Sequence, residues 1–271
     1  MDARAIFGRY WAADSPVHKL DPRTKLFGVL ISMVAIFAAQ SYPALAVAAA
    51  FVVAFFALAR IPFLQAVRSI APLAFIVVIT AILNLFFVQG GTVYVDWGWM
   101  KISSEGINAA VFLAIRLLLL LLSASLLTLS TTTLDITDAF ESVLGPLRRF
   151  GFPAHEFSMI LGIALRFLPQ FVDELATIRA AQLSRGAKLV ANPFARGGLQ
   201  SLGSLMVPLF ASAFRHAETL SAGMDARCYH GGVGRTRLSP LTFARRDTVA
   251  FAVLGAMLVC VIATNIVVGL F

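Results

Sequence analysis

Charge is scarce in this chain. Only 13% of its 271 residues are Asp, Glu, Lys or Arg, against about a quarter in soluble proteins, and 59% are hydrophobic. With a mean hydropathy of +0.85, it reads as a membrane protein. Cysteine is nearly absent too, and Cys228 and Cys260 fall in a polar segment and an apolar one, which excludes a disulfide framework. The four His and two Cys form neither HExxH nor CxxC, so no metal site is written in the spacing. "GGVGRTR" (Gly231 to Arg237) lacks the spacing of a phosphate-cradling G-x-x-x-x-G-K-[ST] loop and its closing Ser or Thr, and no serine sits in a nucleophile elbow. Acidic residues are almost missing from the apolar stretches, which argues against a carrier with its own proton or cation site. No catalytic residue, metal or cofactor is expected. By elimination, the chain relays work performed elsewhere.

What is present begins with five apolar stretches near the roughly 20 residues that a helix needs to cross about 30 Å of hydrocarbon. They are Leu26 to Gln40, Ala44 to Ala59, Ile70 to Phe87, Ile107 to Ser130 and Thr248 to Phe271. "QSYP" between the first two reads as a tight hairpin, because Pro43 cannot continue a helix and disfavours helical geometry at Tyr42. Ahead of the first, "SPVHKLDPRTKLFG" is built as a helix start, with Asp21 as N-cap and Pro22 at the first helical position. His18 there has no metal-binding companion nearby. "VQGGTVYVDWGWMKISSEG", with Tyr94, Trp97 and Trp99, suits a loop whose aromatics lie at the membrane interface, with room for a short hairpin.

Basic residues orient the chain. Of the 22 Lys and Arg, five precede the first span, two lie between the second and third, and thirteen between the fourth and fifth, so 20 fall on one side. That side is expected to be cytoplasmic, with the N-terminus inside, the C-terminus outside and no signal peptide. The net charge of +8 therefore reflects orientation and does not call for nucleic acid. Arg116 is the exception, inside the fourth span. It snorkels outward, bonds within the bundle with Asn84 of the preceding span a candidate partner, or serves a function.

Residues 132 to 247 hold most of the charge yet still read as long apolar-striped helices. Thr132 and Asp135 resemble a capping box, followed by a stripe of Ile136, Phe140, Val143, Leu144 and Leu147 that stops at "RRFGFP". A second helix is expected from Ala154 to Arg185 and a third from Gly198 to Arg227, with Pro169 and Pro208 as kink sites. Helices this charged at their ends lie along an interface or pack on a partner. The chain thus divides into a four-helix membrane region (1–131), a coupling-helix region (132–247) and a last membrane helix (248–271).

Each long helix closes on an arginine between small residues: Ser184-Arg185-Gly186 and, 42 positions on, Ala226-Arg227-Cys228. A glycine just past a helix end takes the left-handed conformation and a cation there complements the helix dipole, so a capping role alone explains one copy. Two copies ending two Pro-containing helices favour a second role, in which a guanidinium standing clear of its helix enters a groove on another protein.

The chain resembles the T-component (EcfT) family of energy-coupling factor (ECF) transporters, within the broader CbiQ/BioN-type membrane proteins. The resemblance is carried by "SPVHKLDPRTKL", "TTTLDITDAFESVLGPLRRFGFPAHE", "LRFLPQFVDELATIRAAQLSRG" and "VPLFASAFRHAETLSAGMDARCYHGGVGRTRL", and covers nearly the whole sequence. It implies an all-α integral membrane scaffold, with about five spans and long cytoplasmic amphipathic helices. That scaffold joins two ABC-type ATPases to a small membrane S component that captures a vitamin or metal ion. The chain itself would not be an enzyme. Family arginines matching Arg185 and Arg227 dock in the ATPases, with Ser184, Gly186, Ala226 and Cys228 as their flanks. Phe167, Phe171, Leu175, Leu205 and Leu209 are candidates for the S-component face. Where the family has Gly after the second arginine this chain has Cys228, so the helix exit there is expected to differ. Length and the long coupling segment look like the shared, multi-substrate group. Two other classes compete: an enzyme acting on lipid with Arg116, Arg166 or Arg179 on an anionic head group, and a secondary transporter, which predicts internal repeats around a midplane site.

Overall fold

The computed structural model describes residues 11, 13–97, 100–144, 154–187, 198–231 and 243–269. Leu147, Trp99, the "RRFGFP" stop and most of "GGVGRTR" lie outside them. The described residues form two compact units, one from residues 8–139 and 240–271 and the other from 140–239.

The first unit contains α1 (Pro22–Ala38), α2 (Tyr42–Ala59), α3 (Phe63–Phe87), α4 (Ser104–Ser130) and α8 (Arg245–Gly269), with a two-stranded antiparallel hairpin, β1 (Val93–Trp97) and β2 (Met100–Ser103), between α3 and α4. Helices α2, α3, α4 and α8 are long and apolar enough to cross a membrane. Helix α1 has 17 residues, about 26 Å at roughly 1.5 Å per residue. Its exposed Phe27, Leu30, Val34 and Phe37 recur at helical spacing, an outward apolar stripe that suits lipid. α3 packs chiefly on α4 and exposes Leu73, Phe75, Ile76, Val78, Ile82 and Phe87, an apolar surface that suits hydrocarbon. It starts seven residues before the apolar run, because its first turns carry Gln65 and Arg68, which belong at the headgroup level. Together these make the fold an all-α integral membrane protein.

Burial inside this unit rests on small side chains. Ala35, Ala39, Ala44 and Ala48 are fully buried among Ile36, Leu45, Leu129, Met257 and Val261. In lipid, helices associate through close backbone packing rather than through the hydrophobic effect, and alanine permits the approach. Two polar knots finish the ends.

At the α1–α2 turn, backbone groups at the helix ends need partners. Asn265 of α8 supplies the partners: its Nδ2 donates to Ala38 O at 2.6 Å, and its Oδ1 accepts from Gln40 N at 3.0 Å and Ser41 Oγ at 3.3 Å. Arg116 joins from α4, with Nη2 donating to Ala39 O and its guanidinium 4.6 Å above the Phe112 ring. Arg116 therefore bonds within the bundle, but not to Asn84, whose amide bonds to Thr80 O of its own helix. The difference arises because Arg116 points toward the α1–α2 turn. Asn265→Leu removes a hydrogen bond from each of three polar groups, at about 0.5–1.5 kcal/mol each. We expect its denaturation midpoint in mixed micelles to fall well below that of the parent chain; an unchanged midpoint would show that water serves the turn equally well.

At the other end, Asp21 caps α1 by accepting from Arg23 N at 2.9 Å, with Pro22 at the first position as expected. Asp247, 2% exposed, accepts from Asp21 N at 2.9 Å and Ala244 N at 2.8 Å, tying the starts of α8 and α1 together. Lys25 Nζ donates to His18 O and to Ser130 O, both at 3.0 Å, which ties in the end of α4. His18 donates from Nε2 to Trp11 O at 2.9 Å, and its Nδ1 lies 2.7 Å from Ser15 Oγ, an arrangement that the neutral ring satisfies. Desolvation by its surroundings lowers its proton affinity and favours that state.

The second unit holds the end of α5 (Thr133–Leu144, which begins in the first), α6 (Ala154–Ser184) and α7 (Gly198–Asp225). Thr132 accepts from Asp135 N at 3.2 Å, half of the expected capping box; Asp135 Oδ2 returns to the Thr132 hydroxyl at 2.7 Å instead of to backbone. Helices α6 and α7 continue through Pro169 and Pro208.

Arginine ends of a helical hairpin

Helices α6 and α7 run antiparallel, as contacts at three levels establish. Tyr229 Oη donates to Met159 Sδ at 2.8 Å, Gln170 Nε2 meets His216 Nε2 at 2.9 Å, and Gln182 Nε2 donates to Ser204 O at 3.4 Å. The seam is mixed. His216 lies 6.1 Å from the rings of both Phe167 and Phe171, with its Nδ1 4.0 Å from Glu174 Oε2.

Because the helices are antiparallel, their C-terminal ends fall at opposite ends of the hairpin. Arg185 closes one end; Arg227 lies beside the level of Met159 at the other. With 26 residues separating Met159 from Arg185, the two arginines stand about 40 Å apart at roughly 1.5 Å per residue.

Both ends are built alike. Gly186 N donates to Leu183 O at 3.0 Å and Ala187 N to Gln182 O at 3.0 Å, with Gly186 at φ +81°. Cys228 N donates to Asp225 O at 2.9 Å and Tyr229 N to Met224 O at 3.1 Å, with Cys228 at φ +54°. Each is a Schellman motif with the arginine at the C-cap and the following residue left-handed. The exit after Arg227 thus repeats the glycine-type exit in its hydrogen bonds, contrary to the expectation that cysteine would change it. What changes is the conformational cost, because a side chain in the left-handed region costs about 1–2 kcal/mol that glycine avoids. Cys228→Gly should therefore raise the thermal midpoint of the folded chain, and Gly186→Ala should lower it by a comparable amount. Equal midpoints for both variants and the parent would remove the strain from the account.

Arg185 and Arg227 are exposed, as are Ser184, Gly186, Ala226 and Cys228. Among the described residues neither guanidinium has a hydrogen bond or ion pair. Ser184 Oγ turns back to Ala180 O at 3.1 Å, leaving its neighbour's side chain clear. Phe167, Phe171, Leu175, Leu205 and Leu209 are half-buried, the two phenylalanines against each other and His216. The large apolar side chains that the hairpin leaves exposed are Phe157, Ile160, Leu168 and Leu183 on α6 and Leu199, Leu202, Val207, Phe210 and Phe214 on α7. A helix with apolar residues on more than one face does not reveal in its sequence which face meets its own neighbour. Lengthwise spacing would have found the second set as readily as the first.

Residues 13–238 match the family described as cobalt transport protein, CbiQ. The chain belongs to the CbiQ family. The chain is also similar to proteins named energy-coupling factor transporter transmembrane protein EcfT. That of Brevibacillus brevis is 40% identical, over 94% of this chain and 96% of the relative. That of Ruminiclostridium cellulolyticum is 42% identical over 89% of each. The Bacillus subtilis protein is 35% identical over 93% and 96%. This CbiQ-family chain is accordingly a multi-pass transmembrane component of the energy-coupling factor transporter class.

Proposed function

We propose that the chain is the coupling scaffold of an ATP-driven importer, with one ATPase subunit docked at Arg185, a second at Arg227, and a small substrate-binding membrane subunit on the hairpin. The observation that carries this reading is the matched pair of exposed arginine ends at opposite ends of one antiparallel hairpin. A spacing of about 40 Å lets each end engage a separate partner, and rigid helices between them turn relative motion of those partners into motion of the hairpin. ATP hydrolysis belongs to the partners, since this sequence carries no phosphate-binding loop.

The exposed apolar residues Val207, Phe210 and Phe214 of α7, spaced for one helix face, supply a seat for the substrate-binding subunit, with Phe167, Phe171, Leu175, Leu205 and Leu209 stiffening the seam beneath. The cargo is a vitamin or metal ion, the latter in keeping with the family description, cobalt transport protein, and the length of the coupling region (132–247) suits a scaffold shared among several substrate-binding subunits. With most Lys and Arg on one side, the N-terminus and the hairpin are cytoplasmic and the C-terminus is external.

Affinity isolation from the native membrane tests the proposal. Two nucleotide-hydrolysing subunits and a small membrane protein should co-elute, and liposomes holding the whole set should accumulate cargo only with ATP. Uptake by this chain alone, driven by an ion gradient, would overturn it.

A further inference from the structure

The membrane unit contains a half-open cavity of about 70 Å³ that the coupling role does not use. Its walls come from α1 (Gly28, Val29), α2 (Phe55), α4 (Leu126, Leu127) and α8 (Ala250, Leu254), and from the entry to α1. They are mostly apolar, and the polar side chains Lys25, Ser32 and Ser130 among them bond within the unit. Thr24 does not: 1% exposed and in the wall, it has its hydroxyl without any partner. A helical threonine ordinarily returns its hydroxyl to the carbonyl four residues earlier, so a buried orphan here marks a place where something else accepts the bond.

Charge surrounds this end of the unit. Arg23 precedes Thr24, its guanidinium 5.6 Å above the Phe243 ring and its Nε buried without a partner. Arg245 and Arg246 are exposed in the first turn of α8, which packs on α1. The carboxylates nearby are occupied: Asp21 and Asp247 are buried on backbone N–H groups, and Asp14 pairs with Lys19 at 2.6 Å. The free charge at the rim is positive.

We propose that this cavity holds part of one acyl chain of an anionic phospholipid, whose phosphate meets Arg23, Arg245 and Arg246 and whose ester carbonyl accepts from Thr24 Oγ1. The order along α1 matches the order along such a lipid: cation at 23, hydroxyl donor at 24, apolar wall from 28 onward. From Arg23 to Ser32 the helix rises about 14 Å, close to half of the roughly 30 Å hydrocarbon layer. The size of the cavity decides against a free small molecule. Sites for whole organic ligands run to about 300–1,000 Å³, whereas this space admits only a length of hydrocarbon whose remainder lies in the bilayer.

The full chain, purified in mild detergent and supplied with phosphatidylglycerol or phosphatidylcholine of identical acyl chains, provides the test by native mass spectrometry. The parent chain should retain phosphatidylglycerol about ten-fold over phosphatidylcholine, in line with the pull of basic side chains on anionic headgroups. Ala250→Phe, which fills the cavity, should release both lipids while the thermal midpoint in detergent holds. Arg245→Gln with Arg246→Gln should erase the preference for the anionic headgroup and keep the chain-dependent binding. If Ala250→Phe unfolds, Thr24→Val decides instead, and reduced retention is expected. Equal retention of the two lipids by the parent chain, or parental retention in Ala250→Phe or Thr24→Val, would overturn the proposal.

Discussion

Arg185→Glu combined with Arg227→Glu is expected to yield a chain that inserts and folds as before but no longer co-purifies with any ATPase subunit and supports no ATP-driven uptake. The expectation has two physical parts. Each guanidinium is exposed, and among the described residues lacks a hydrogen bond or ion pair, so the fold loses only the helix-dipole contribution of each end, about 0.3–1 kcal/mol per charge. In a docked complex the same groups would be desolvated and held by acceptors. Truncating one partner of such a pair costs about 2–5 kcal/mol, and reversing the charge adds repulsion. At about 1.4 kcal/mol per factor of ten, each end alone accounts for a loss of roughly thirty-fold to several thousand-fold in affinity. Because the ends stand some 40 Å apart, Arg185→Glu and Arg227→Glu taken singly should each release one ATPase and spare the other site. The readouts are subunit stoichiometry after affinity isolation, uptake in vesicles, and the thermal midpoint. A double variant that keeps its ATPases and transports normally removes the docking role altogether.

The second large effect is on stability. In Asp247→Ala, the Asp21 and Ala244 N–H groups lose their acceptor in a site that is 2% exposed. Stranding each buried donor costs about 1–3 kcal/mol, and Lys25 loses one of the three carboxylates, with Asp21 and Asp135, that bear on its charge. A loss of several kcal/mol is a large share of the roughly 5–15 kcal/mol that holds a typical protein folded. The expected result is a strongly lowered unfolding midpoint and poor recovery from the membrane. Asp247→Asn, of the same shape, keeps one acceptor and should fall between. An alanine variant as stable as the parent would mean that the starts of α1 and α8 are held by helix packing alone.

Much of this architecture was legible in the amino-acid order. Asp21 and Pro22 announce the start of α1, and the cap bond forms as they imply. Gly186 marks the end of α6 because the left-handed turn there is one that glycine adopts freely. The long apolar runs mark membrane helices because hydrocarbon imposes a length and a composition that water does not. The exit after Arg227 was misread, since a cysteine in the left-handed region is not a standard signal; the hydrogen bonds of the turn outweigh its backbone strain. Arg116 could be seen as an oddity inside a span, but its partner, the carbonyl of Ala39, is a backbone atom 77 positions away, and no side-chain pattern points to a backbone acceptor.

Composition and local chemistry thus decided by themselves that this chain enters a membrane, where several of its helices begin or end, and that two of them finish on an arginine between small residues. Those are short-range matters of solvent, backbone dihedral and capping. Only the tertiary structure decided that the two arginines occupy opposite ends of one hairpin, that Phe167 and Phe171 face His216 while Phe210 and Phe214 face outward, and that Asp247 reaches back 226 positions to Asp21. Such outcomes depend on which of several apolar faces pairs with which neighbour, a choice set by packing among distant segments and therefore not contained in the periodicity of any one of them.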